Sequence, residues 1–222
     1  MADNPVSLPG NKNVLFTNRQ LVTLMWPLLL EQMLAIAVGL ADSLMVATVG
    51  DAAISAVSLV DSISNLMIYI FSAMATGGAA VAGQYIGLKQ KEDACNAGQQ
   101  LIALLAVVSV SFAALLYLFR PQILTTMFGH IEPDVMDATN TYYLYVMASI
   151  PGIALYNGGA ALFRTMGRSD VSLKVSLLMN GINVTGNAIL IFGVGMDVAG
   201  VAIPTLISRT VAAAVILALL FN

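Results

Sequence analysis

The chain has 222 residues, of which 59% are hydrophobic and only 9% charged, against about 25% charged in an ordinary soluble domain. With a mean hydropathy of +0.87, it has too little polar surface to cover itself in water, and lipid is the alternative solvent. A formal net charge of −3 without a basic stripe argues against a nucleic-acid partner. One cysteine, Cys95, excludes an intrachain disulfide, and one histidine beside it argues against a zinc or iron–sulfur centre.

Residues 1–20 are polar and include Pro5, Pro9 and Gly10, so they read as a cytoplasmic N-terminal segment. Residues 21–222 read as one transmembrane lobe. A span needs about 20 mostly apolar residues, and six runs qualify, at roughly 21–48, 53–84, 96–119, 139–163, 171–193 and 198–221. The first is too long for a cleavable signal peptide. The second exceeds the thickness of a bilayer and should tilt or project. Strands are excluded by the lack of polar alternation, because lipid admits only helices and closed barrels. The expected fold is an all-α, six-helix membrane bundle.

The loops carry a charge asymmetry. Lys12, Arg19, Lys89, Lys91, Arg164, Arg168 and Lys174 fall on the side of the N-terminus, whereas Arg120 is the basic residue of the other side. Basic residues in short loops set orientation. Both termini are therefore expected in the cytoplasm of a cell whose plasma membrane holds the chain. An even number of spans would give a second six-helix unit the same orientation, as a parallel repeat about the membrane normal. The chain reads as half of a larger assembly, completed by a second lobe or by a homodimer partner.

Ionisable groups inside spans are costly, about 2.5–3.5 kcal/mol each on insertion scales. Four stand out: Glu31 and Asp42 in the first span, Asp61 in the second and Arg209 in the sixth. Glu31 and Asp42 are eleven residues apart, which places them on one helix face about 16 Å apart along the axis. Asp42 is embedded among Gly39, Leu40, Leu44 and Val46; a shared face pointing inward would suit a proton or Na⁺ path, and the other reading of Glu31 is that it lies near the cytosolic boundary and is simply solvated. Pro27 should bend this span.

The second span carries a polar stripe of Ser58, Asp61, Asn65, Ser72 and Thr76, which reads either as a cavity wall or as helix–helix packing. Ser176, Asn180, Asn183 and Asn187 form a tighter stripe on the fifth. Asparagines facing lipid would lose their hydrogen bonds, so this face should meet another helix, a cation or a proton network. Arg209, with Thr205 one turn before it, should have an acidic partner, Glu31 or Asp61. His130 reads as a solvated loop residue. Trp26 and the cluster Tyr142, Tyr143 and Tyr145 suit membrane interfaces.

No nucleophile motif, phosphate loop or metal spacing is present, and Glu31 and Asp42 are too far apart for an acid dyad. The chain is not expected to be an enzyme or to use a cofactor.

Several segments resemble the multidrug and toxic compound extrusion (MATE) transporters. WPLLLEQ and GLADSLMVATVGDAAISAVSL resemble the family's first helix, outer turn and start of the second helix. ATGGAAVAGQYIGLKQKEDA and ALFRTMGRSD resemble its cytoplasmic loops, and NGINVTGNAILIFGVG and VAGVAIPTLISR its helices five and six. The resemblance runs from about Leu21 to the end, in the family's order and spacing.

It implies one lobe of a twelve-helix, V-shaped antiporter that exports organic cations or other amphiphiles in exchange for H⁺ or Na⁺. It implies cation coupling at Asp42, with Asn183, Asn187 and Thr205 completing the site and holding Na⁺ where Na⁺ is used. Glu31, Asp61, Asn65, Asn180 and Arg209 would form the surrounding polar network. Some members have an aspartate where this chain has Asn187, which leaves H⁺ and Na⁺ both open. The alternatives are a lipid-linked oligosaccharide flippase of the same superfamily, which would favour a cavity lined by several basic residues, and a non-transporting fragment.

Overall fold

The structure is a computed structural model that describes residues 18–129 and 131–221. His130 and most of the expected 1–20 segment lie outside the described residues. Within them the chain forms eight α-helices and one π-helical segment. These are α1 (Asn18–Ala47), α2 (Asp51–Gly87), α3 (Lys91–Leu118), α4 (Arg120–Phe128), α5 (Pro133–Ala148), α6 (Ile150–Thr165), α7 (Ser169–Ala188), the π segment Ile189–Gly193, and α8 (Ala199–Phe221). Taking α5 with α6 and α7 with the π segment gives six stretches long and apolar enough to cross a membrane.

Three features depart from six simple rods. The short α4 lies in what the sequence suggests is only a loop. The fourth span is broken at Ser149, because Pro151 has no N–H to return to the preceding turn. The fifth span ends in the π segment directly after Asn187, and such segments recur at functional sites. α2 is 37 residues long, about 55 Å at 1.5 Å per residue, and overshoots the hydrocarbon core as its length requires.

The broken fourth span is the centre of the lobe: 72% of its apolar window is buried, against 11% for α1. α2 packs on α3, α5 and α6, and α8 closes the other side against α5, α6 and α7. Tyr143, Val146, Met147, Ile150 and Ala154 carry the core through the break. α1 is peripheral and rests chiefly on α7. Its outward residues Met33, Ile36, Leu40 and Leu44 are exposed, as a lipid-facing or lobe-facing stripe should be.

Close crossings are made at glycines. A Cβ at Gly152 would sit 3.0 Å from the Arg209 carbonyl oxygen, so α6 and α8 touch backbone to backbone. A Cβ at Gly186 would sit 2.7 Å from Cβ of Pro204, a ring with no rotamer to yield. That contact sets the α7–α8 spacing beside Asn183, Asn187 and Thr205. Gly186→Val is expected to destabilise the lobe by about 1–3 kcal/mol, the usual range for overpacking. The loss should appear as a lower Tm in detergent, while Gly181→Ala, with nothing within 4 Å of the added Cβ, leaves Tm nearly unchanged.

Candidate functional site

Asp42 sits on the α7-facing side of α1 and is partly buried. Asn187 Nδ2 donates to its Oδ1 at 2.8 Å. Asn187 is fully buried, Asn183 and Thr205 nearly so. Four of the residues picked out in the sequence thus meet where α1, α7 and α8 converge.

The Asn183 amide has two orientations in this cluster. With nitrogen toward α1 it donates to Asp42 Oδ2 at 2.9 Å and Oδ1 at 3.1 Å, and its oxygen accepts from Thr205 Oγ1 at 3.1 Å. Reversed, its nitrogen donates to Thr205 Oγ1 at 3.1 Å, and its oxygen accepts from Asn187 Nδ2 at 3.4 Å while facing the Asp42 carboxyl group. The first suits a bare carboxylate. The second suits an Asp42 that carries a proton, or a cation shared between oxygens. Asn187 Oδ1 is buried without a donor, and an orphan acceptor beside a carboxylate is costly unless a proton or cation meets it.

The other charges fall into two groups. Asp61 on α2 accepts from Tyr142 Oη at 3.2 Å. Arg209 does not have the carboxylate partner its position suggests. Its Nη1 donates instead to Ser149 Oγ at 2.8 Å and reaches Ser64 Oγ at 3.5 Å. The break between α5 and α6 turns the Ser149 hydroxyl toward it. Asp42, Asp61 and Arg209 are close enough for their charges to act on one another. Arg209 thus acts on both carboxylates at a distance while hydrogen-bonding to neither among the described residues.

Glu31 is not a solvated boundary residue: it is 6% exposed. Arg164 Nη2 donates to its Oε1 at 2.8 Å, Tyr156 Oη donates to the same oxygen at 3.0 Å, and Ser172 Oγ lies 3.3 Å from Oε2. The ion pair cannot be with Arg209, because Glu31 faces the end of α6 and the start of α7. Gly167, at φ 75°, reverses the chain between those helices and brings both to Glu31.

Asn180 is half-buried, and its Nδ2 reaches Ser176 Oγ at 3.4 Å. Asn65 is exposed and makes no side-chain hydrogen bond among the described residues, so it stands apart from these groups. Thr76 of the α2 stripe and the neighbouring Ser62 bond back to their own helix carbonyls, a local satisfaction open to any helical hydroxyl. No group of three or more His, Cys, Asp or Glu able to hold a metal occurs among the described residues.

These features define a multi-pass membrane lobe with a buried carboxylate–amide cluster inside it. The MatE family model matches residues 27–189, and the chain belongs to that family of transporters. It is 31% identical over 196 residues to the uncharacterized transporter YisQ of Bacillus subtilis, covering 86% of this chain and 42% of that one. It is 22% identical to the probable multidrug resistance protein NorM of Thermotoga maritima, covering 92% of this chain and 44% of that one. The chain spans about half the length of the curated relatives it matches.

Among solved structures, an outward-facing multidrug resistance MATE transporter of the MOP superfamily superposes with a TM-score of 0.86 at 22% identity, covering 91% of this chain and 45% of its own. The bent form of the Vibrio cholerae transporter VcmN gives 0.82 at 23%, covering 91% and 46%. At these identities the structural likeness establishes the fold.

Arg164→Ala tests the Glu31 cluster. An exposed pair would cost at most about 1 kcal/mol. Stranding a buried carboxylate approaches about 3–5 kcal/mol, and the larger loss is expected in reversible unfolding in mixed micelles.

Proposed function

We propose that this chain is one lobe of a secondary antiporter that exports small cationic or amphiphilic compounds in exchange for one H⁺ or Na⁺ bound at Asp42. The observation that carries this reading is the Asp42 cluster. A carboxylate meets two amides, of which Asn183, backed by the Thr205 hydroxyl, can reverse its hydrogen bonds, beside the orphan oxygen of Asn187. A carboxylate inside a bilayer calls for a proton or a cation. A proton on Asp42 meets the reversed Asn183 amide, and Na⁺ would use oxygens of Asp42, Asn183, Asn187 and Thr205. A flippase for lipid-linked oligosaccharides would favour several basic residues in its cavity, and Arg209 is the basic residue placed mid-span.

Transport follows when drug and cation bind in mutually exclusive states of one protein, each shifting the population toward its own. A second six-helix lobe would complete the drug cavity. We place both termini in the cytoplasm from the distribution of Lys and Arg, and the lobe in the plasma membrane as suits an exporter.

The test is exchange in proteoliposomes containing the completed transporter. Asp42→Asn is expected to reduce cation-driven export at least tenfold and to flatten its dependence on pH and Na⁺; an unchanged dependence would remove Asp42 from the mechanism. Sedimentation mass, corrected for bound detergent, identifies the second lobe: a stable dimer assigns it to another copy of this chain, a monomer to a different polypeptide segment.

A further inference from the structure

The two carboxylates of α1 are joined by a continuous polar line on α7. Ser172, Ser176, Asn180, Asn183 and Asn187 follow one another at spacings of four, four, three and four residues, the repeat of a single helix face. The line begins at Glu31, within reach of Ser172 Oγ, and ends at Asp42, held by Asn187. Asn180 Nδ2 reaches Ser176 Oγ between them. Ser172, Ser176, Asn183 and Asn187 are buried although α1 itself is the least buried span, and Asn180 between them is half-buried.

Each end carries a buried polar atom without a partner: Arg164 Nε beside Glu31, and Asn187 Oδ1 beside Asp42. Packing alone gives no reason to lay hydroxyls and amides along some 22 Å of helix under a loosely held neighbour. An ion or proton moving along the line would meet polar oxygens at every turn. At the end where α1 begins, the Arg164–Glu31 pair closes it. Pro27, one turn before Glu31, removes a backbone hydrogen bond from α1 and lowers the cost of moving that end aside.

Resting on the antiporter reading above, we propose that this line is the track along which the coupling cation passes between Asp42 and the membrane side where α1 starts, with Glu31–Arg164 as its plug. Glu31 and Arg164 are positioning residues, and the hydroxyls and amides of α7 line the path.

The experiment places a cysteine at Ser176 in a Cys95→Ser background of the whole chain. A small, hydrophilic, charged methanethiosulfonate is then applied to right-side-out and inverted membrane vesicles. With the plug intact, Ser176→Cys should react slowly from either face. Glu31→Gln should raise its rate at least tenfold from the face where α1 begins and leave the other face unchanged. Should Glu31→Gln fail to accumulate, Ser172→Ala weakens the same plug, and a several-fold rise on the same face is expected. No rise on that face, or equal rises on both, overturns the track. The pattern should persist with Asp42→Asn, so the track and the cation role of Asp42 stand or fall separately.

Discussion

A charge inside a bilayer must be answered by another charge, by a proton or by donors aimed at it, and α1 carries two acids. That requirement decides how the lobe is put together. α1 has little apolar burial to hold it and is fastened at its two carboxylates. Glu31 is answered in full by Arg164, Tyr156 and Ser172. Asp42 is answered by amides alone. The first arrangement contains an ion pair; the second is built from amide hydrogen bonds. Two acids on one helix face thus acquire different chemistry from what α6 and α7 bring to them.

α7 does most of this positioning. Its apolar side packs on α6 and α8 while its polar side faces α1. The Gly186–Pro204 contact fixes how closely it approaches α8, and so whether Asn183 can touch both Asp42 and Thr205. The π segment that follows carries the chain out of the helix directly after Asn187. Arg209 depends on a different irregularity, since Ser149 is presented to it at the break before Pro151. Both polar sites of the membrane interior lie beside departures from regular helix, where backbone and side chains can be aimed independently of the 3.6-residue repeat.

The spans were legible because about 20 apolar residues in a row have no other stable use. The grouping of Asp42 with Asn183, Asn187 and Thr205 was implied by the family resemblance; the three asparagines on one helix face said by themselves only that this face must find polar company. What could not be read was pairing across helices. Arg164 looks like an ordinary basic residue at a loop, and only the turn at Gly167 brings it to Glu31. Arg209 was expected to seek a carboxylate, yet serine hydroxyls satisfy it, and serines in a membrane span look the same whether they pack, back-bond or donate. The break at Ser149 had a signal in Pro151, whose ring restricts the residue before it.

The order in which these helices are made gives α1 a further burden. The partners of Glu31 lie 125 to 141 residues downstream, and Asn187 lies 145 residues beyond Asp42. At about 5–20 residues per second of synthesis, α1 exists for roughly 6–30 s before the groups that neutralise it have left the ribosome. Of the helices described, α1 is made before the others and is therefore among the last to be secured. In that interval its acids must stay protonated, remain near the interface, or be sheltered by the insertion machinery.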